Sequence, residues 1–443
     1  VFGRRLLVLL VVLAVIGVPA GVLRATCAGN SCRNSGADQA RVPFCPLPDR
    51  LKSEIAAGYR EGRSADVLAV TRTTAVAGGT DANDASAPWI ARGDASSTGV
   101  PIVFSGRGVG EPSASMDGTQ LDQIAPTISD VIGFERTFPN VRAGTAVPEL
   151  ADGDHPRLVL EVALKGVGTP EVRDDRASWP YLDSLISHGA GTMNGSTGSL
   201  PLDPAATLTT IGTGGLPSQH GITGTLVRNN AGQVVRAWGK GAPLSVIATL
   251  PDDLDEAMGQ RPVIGLVQTD DADRGLIGGT WYPKHDQDLV ATADDGDVVD
   301  VAEQLLANGF GADPVPDILA VVLSGSHRSM DRALRRIVAA AERVSGGSLL
   351  TVVAGTGSAT GSDGGATTSS GVVSQVEDAV AGDADIVAGA VPSGLFLDQD
   401  ALAAAGVTGQ AAVDALMRVT GPDGQTLVAD AFQGFAVSFA RYC

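Results

Sequence analysis

LPLDPAATLTTIGTGGLPSQHGITGTLV (Leu200–Val227) opens on a helix-start signal in the middle of the chain. Asp203 carries a short side-chain acceptor for the free N–H groups of a helix start, and Pro204 suits the first helical position, so a helix is expected over Asp203–Ile211. On either side of it, apolar runs of strand length alternate with helical patterns. RLVLEVAL (Arg157–Leu164), PVIGLVQ (Pro262–Gln268), DILAVVL (Asp317–Leu323) and LLTVVA (Leu349–Ala354) read as buried strands. Trp179–His188, Val298–Asn308 and Ser329–Val344 read as helices between them. Upstream, DVLAVT (Asp66–Thr71) and PIVFS (Pro101–Ser105) are further strands. Leu51–Tyr59 is a helix, and so is Leu121–Ile132, which carries Pro126 in its first turns. Residues 77–99, 140–156 and 357–370 read as loops, and 371–443 carry weaker elements ending in FAVSFA (Phe435–Ala440). Strands alternating with helices imply an α/β protein with a mostly parallel sheet covered by helices on both faces.

The composition suits that fold: 44% of the 443 residues are hydrophobic, enough for a sizeable core, and few are aromatic. The formal charge of −19 and the lack of a basic face argue against nucleic acid as a partner. At the start, Arg4 and Arg5 precede an uncharged apolar run, Leu6–Leu23. Eighteen residues of helix span about 27 Å, close to the hydrocarbon core of a bilayer. Residues 1–23 therefore read as a transmembrane anchor, or as a signal sequence cleaved near Val18-Pro19-Ala20; the length favours the anchor. The basic flank places the N-terminus in the cytoplasm and the main domain outside, as a single-pass protein of the plasma membrane. Arg24 stands where a lipoprotein signal needs an apolar residue, so Cys27 is not read as a lipid site. Residues 24–45 form a polar juxtamembrane stalk, and 46–443 a single domain. Cys27, Cys32, Cys45 and Cys443 all lie beyond the apolar run, where disulfides form, and three pairings are open to them.

The central stretch resembles the active-site region of the phosphodiesterase and nucleotide pyrophosphatase branch of the alkaline phosphatase superfamily. There a hydroxyl nucleophile opens a helix that runs into T-G-x-x-P-x-x-H-G-I, matched here by Thr213, Gly214, Pro217, His220, Gly221 and Ile222. Residues 57–147 (AGYREGRSADVLAVT, GGTDA, GVPIVFSGRGVGEP, LDQIAPTISDVIGF) resemble the closing part of the same superfamily's phosphatases. The order is reversed, which implies a circular permutation: residues 46–150 are equivalent to the family's tail, and 157–443 to its front and middle. Permutation is tolerated where native termini lie close together. The resemblance then implies that Cys45 and Cys443 are neighbours joined by a disulfide, leaving Cys27–Cys32 as a small loop in the stalk.

The resemblance also implies a two-metal centre, whose ligands must be carboxylates and imidazoles. At the first ligand position, after LVLEVAL, stands Lys165. The nucleophile position falls at Asp203 or Pro204, with Thr207 almost a turn downstream; Asp203 reads first as a helix cap. The D-x-x-x-H pair reads Leu323 and His327, and a lone His is commonly a surface residue. The D-H-G position reads Gly355-Thr356-Gly357 with Asp363 nearby, and the final His is Asp81. His220 is not a metal ligand in the family, and its bonds are expected to be structural. With the scaffold kept and the ligands replaced, the expected function is a catalytically silent pseudo-hydrolase. It would bind or scaffold an envelope protein or ligand and need no cofactor. An active phosphodiesterase using zinc or manganese would need Asp81, Asp203, His327 and Asp363 to converge. A structural subunit of a membrane complex is the third reading.

Overall fold

The computed structural model describes residues 44–73, 76–77, 88–93, 98–110, 115–138, 141–284, 287–294, 296–358, 367–382 and 384–443. The apolar run 6–23, the stalk cysteines Cys27 and Cys32, Asp81 and Asp363 lie outside them. Among the described residues, no helix is long and apolar enough to cross a membrane.

Eleven strands build the two main sheets: β1 (Val67–Thr71), β2 (Gly99–Gly106), β3 (Leu158–Leu164), β4 (Ala190–Ser196), β5 (Ile264–Gln268), β6 (Leu289–Thr292), β7 (Asp317–Leu323), β8 (Leu349–Gly355), β9 (Val387–Val391), β10 (Gly394–Leu397) and β11 (Val428–Gln433). The larger sheet has seven strands in the order β4-β2-β8-β3-β7-β5-β6. Only β2 runs against the others, pairing antiparallel with β4 and β8. β3, β7 and β8 are buried along their whole length, which is why they read as unbroken apolar runs rather than alternating ones. In the shared register Asp317 pairs with Leu158 and Leu323 with Leu164.

Helices cover both faces. α2 (Ile124–Val131), α5 (Pro204–Thr213) and α7 (Leu250–Met258) press Ile128, Ile211 and Leu254 onto one face. α4 (Pro180–His188), α8 (Val298–Leu306) and α9 (His327–Ser345) press Leu182, Ala302, Leu334 and Ile337 onto the other. Burying each such branched side chain contributes about 1.5–3 kcal/mol. Thus α9, with a continuous apolar stripe and a charged outer face, is held by packing rather than by propensity. The smaller sheet, β9-β10-β1-β11, is antiparallel throughout and is packed by α10 (Ser369–Val380), α11 (Gln399–Ala405) and α12 (Gly409–Leu416).

Strands from residues 67–106 thus lie inside sheets otherwise made from residues 158–433: β1 sits between β10 and β11, and β2 between β4 and β8. α1 (Asp49–Gly58) buries Leu51 and Ile55 in a cluster shared with Phe432 and Val437. A disulfide joins Cys45 to Cys443 with a Cα separation of 5.1 Å, inside the range such bonds require.

Several boundaries differ from the sequence reading. The helix expected over Leu121–Ile132 is a 3-10 turn, Leu121–Gln123, followed by α2. Pro126 thereby falls in the first turn of α2, where its missing N–H goes unneeded. α9 starts at His327 rather than Ser329, so His327 is a helix-start residue and not a loop residue. β4, AGTMNGS, was not foreseen, because it has little β-branched or aromatic content. Nor was α7, although Thr249 and Asp252 form a capping box at its start. Trp89 and Ile90, in a stretch expected to be loop, are buried; the Trp89 indole donates to Ser369 Oγ at 2.9 Å.

Candidate functional site

The parallel strands end together on one edge of the large sheet, the edge where open α/β sheets place ligands. Lys165 follows β3 there, and its backbone N–H donates to Leu323 O at the end of β7 at 2.8 Å. Its Nζ lies 2.9 Å from Asp273 Oδ1. Asp273 belongs to the 3-10 segment Asp271–Leu276 and is fully buried. Its other oxygen accepts from Thr269 N (3.0 Å), Thr269 Oγ1 (2.9 Å) and Asp270 N (3.0 Å), so this buried charge is both paired and hydrogen-bonded. Two glycines bring the segment this close to α5. A Cβ on Gly212 would lie 2.4 Å from the carbonyl oxygens of Gly275 and Leu276, and one on Gly275 2.3 Å from Thr209 Oγ1.

Asp203 caps α5: its Oδ1 accepts from Ala205 N at 3.0 Å and from Thr225 Oγ1 at 2.9 Å. Burial pushes its pKa up, against these bonds and the Lys165 charge. Thr207 is buried, and its hydroxyl is turned back onto Asp203 O and Pro204 O, both at 3.1 Å. Asp270 binds Arg236 through both oxygens, at 2.9 and 2.7 Å. Burial pushes Asp270 up, but the Ala272 N–H and the Arg236 and Lys165 charges outweigh it and hold the carboxyl below its ordinary range. The cations that serve these carboxylates come from the chain itself. Lys165, Leu323 and Gly355-Thr356 stand at the ends of β3, β7 and β8, and Thr356 Oγ1 accepts from Gly166 N at 2.9 Å. These four residues offer no carboxylate or imidazole to zinc or manganese; Asp81 and Asp363 lie outside the described residues. Among the described residues, no group of three or more His, Cys, Asp and Glu is arranged to hold a metal ion.

His327 is not brought to Asp203. Its Nδ1 lies 3.0 Å from Asp175 Oδ2, just after α3 (Thr169–Asp174), and its ring faces Trp179 with centroids 5.3 Å apart. Trp179 packs in the α4–α8–α9 layer, on the far side of the sheet from α5. The hydrogen bond from His327 holds Asp175 below the ordinary carboxylate range.

The Thr213–Ile222 turn is built by its own bonds. Gly214 closes α5 in the left-handed conformation (φ 73°), which favours glycine, and Gly215 N donates to Thr213 Oγ1 at 3.1 Å. Pro217 opens the short helix α6 (Pro217–His220). His220 is fully buried; its Nδ1 accepts from Ile222 N at 3.1 Å, so Nε2 carries the proton and donates to Thr210 Oγ1 at 3.1 Å. Burial lowers its pKa to about 3, so it is neutral at physiological pH. Arg60, from the upstream matched stretch, donates to Ser218 O (2.8 Å) and Gln219 O (2.9 Å) of this turn. The two resembling stretches, far apart in the chain, therefore meet.

Asp273, Asp270, Arg236 and Asp175, the partners that decide what Lys165 and His327 do, were not singled out from the sequence. The Asp270-x-x-Asp273 capping pattern was the signal available for the first two.

No family model and no curated protein matches the chain. Among solved structures, wild-type alkaline phosphatase PafA is 14% identical, with 63% of this chain and 84% of that one covered and a TM-score of 0.42. Phosphonoacetate hydrolase from Sinorhizobium meliloti 1021, in complex with phosphonoacetate, is 16% identical, with 45% and 55% covered and a TM-score of 0.31. Likenesses this distant assign neither activity nor family to the chain.

Proposed function

We propose that this chain is a membrane-anchored, extracytoplasmic relative of the alkaline phosphatase superfamily, circularly permuted and catalytically silent, that binds or scaffolds a partner in the cell envelope. One observation carries the silence. At the end of β3, where the resemblance asks for the first metal ligand, the Lys165 ammonium lies 2.9 Å from the buried Asp273 carboxylate. An internal cation occupies the edge where a divalent ion would need an acid. Asp203 supports the same reading, since it is consumed as a buried cap rather than presented as a nucleophile.

The permutation is supported by β1 and β2 lying within sheets built from the rest of the chain, and by the disulfide beside which the unpermuted chain would be continuous. The anchor rests on the apolar run Leu6–Leu23 behind Arg4 and Arg5.

The test is hydrolysis of phosphomonoester and phosphodiester substrates by the full chain with added zinc or manganese, alongside Lys165→Asp. No turnover by the parent chain is expected; metal-dependent turnover abolished by a chelator would overturn the reading. Protease accessibility of the main domain in sealed, oriented membranes checks the topology separately.

A further inference from the structure

Glu161 stands in the middle of β3, the strand at the heart of the large sheet, with Ala320 of β7 and Val352 of β8 in register beside it. It is buried, and its Oε1 has no hydrogen-bond partner. The space it faces is lined by Ala125 and Ile128 of α2, Ile211 and Gly212 of α5, Leu250 and Pro251 of α7, and Ile318 of β7, and has no room for a water molecule.

No cation answers it from the elements packed there. α5 and β8 contain no titratable residue. α2 carries only Asp130, exposed on its outer side. Asp317 of β7 is engaged by Val263 N and Gly311 N. On α7, Asp252 binds Thr249 and Gly279 N, Asp253 binds Arg136 and Arg142, Asp255 is buried, and Glu256 is exposed. Asp122, just ahead of α2, is a second buried acid with an unpartnered oxygen.

We propose that Glu161 is a neutral, protonated carboxyl under physiological conditions and acts as a proton-linked latch: losing its proton loosens the seating of α2, α5 and α7 on the sheet. An isolated carboxylate in an apolar, dry enclosure is strongly disfavoured, whereas the neutral acid is tolerated. Burial alone pushes the Glu161 pKa up to about 8. The folded chain therefore keeps a proton that the unfolded chain has already released. Stability falls as pH rises from the ordinary glutamate range towards about 8, then levels off. Asp122, pushed up to about 6 by burial, adds a smaller effect of the same sign at lower pH.

The experiment is thermal unfolding of the full chain from pH 5 to 9, for the parent and Glu161→Gln, with amide hydrogen exchange over α2, α5 and α7. Relative to Glu161→Gln, the parent's midpoint should fall as pH rises towards about 8 and exchange on those helices should quicken; His220 and Asp122, which act in opposite directions below about pH 6.5, are common to both and cancel in the difference. Identical pH profiles for parent and variant would overturn the proposal. If Glu161→Gln fails to fold, infrared difference spectra of the parent between pH 6 and 9 decide. Loss of a protonated-carboxyl stretch over that interval supports the latch; a carboxylate already ionised at pH 6 ends it.

Discussion

Replacing Asp253 by Asn removes the charge at the centre of the most deeply buried ion cluster among the described residues. Asp253 Oδ2 lies 2.9 Å from Arg136 Nε and 2.8 Å from Arg142 Nη2, all three side chains are almost completely buried, and Tyr282 donates to Oδ1 at 2.8 Å. Burial lowers Arg136 to a pKa of about 10, which still leaves it charged at neutral pH. Both arginines are further fixed by backbone carbonyls, Arg136 by Thr213 O and Ala248 O, and Arg142 by Thr213 O, Thr137 O and Phe138 O, so neither can swing out to water. Each charge pair is worth about 4 kcal/mol at an effective dielectric near 20. Arg–Arg repulsion and desolvation offset much of that sum, and stranding two buried cations typically costs about 3–5 kcal/mol. For a folded region of about 400 residues, each kcal/mol moves the thermal midpoint by about 1.2 °C, so a drop of about 4–6 °C is expected. Scanning calorimetry of the variant is the assay, with Glu256→Gln, on the exposed side of the same helix, as the control that stays within about 0.5 kcal/mol. A drop below 1 °C for Asp253→Asn would show that the cluster does not clamp Arg136 and Arg142 to α7.

Reduction of Cys45–Cys443, or its replacement by serines, opens a loop defined by a separation of 398 residues; the chain-entropy model assigns this about 6 kcal/mol. An unchanged denaturation midpoint on reduction would contradict that bond's role. His220, whose pKa burial lowers to about 3, stays neutral when folded while the unfolded residue takes up a proton below about 6.5. Its contribution is therefore complete above about pH 6.5 and lost as pH falls towards 3, by up to about 5 kcal/mol; an imidazole NMR titration near 6.5 in the folded protein would refute this. Asp203→Ala should cost about 1–2 kcal/mol through the lost cap, and Asn should recover part of it. A stability change in Asp203→Ala no larger than that of a surface substitution would remove Asp203 from the scaffold.

The sheet was legible because β3, β5, β7 and β8 are buried along their length, and long all-apolar runs between helical patterns admit little else. Asp203 and Pro204 marked the start of α5 because capping is a local interaction, readable from neighbours in sequence. What escaped was non-local or weakly patterned. β4 is held by its pairing with β2, not by its composition. Lys165 could be placed at a strand end, but its partner Asp273 lies 108 residues away, on a segment seated against α5 through the close approach of Gly212 and Gly275. His327 was readable as a position but not as a contact, because Asp175 and Trp179 reach it from the connection following β3.

If Lys165 and Arg236 serve these carboxylates in place of a metal centre, as proposed, the full-length protein retains no ion after incubation with zinc and manganese and removal of the excess. Two tightly bound ions per chain in elemental analysis would refute that replacement.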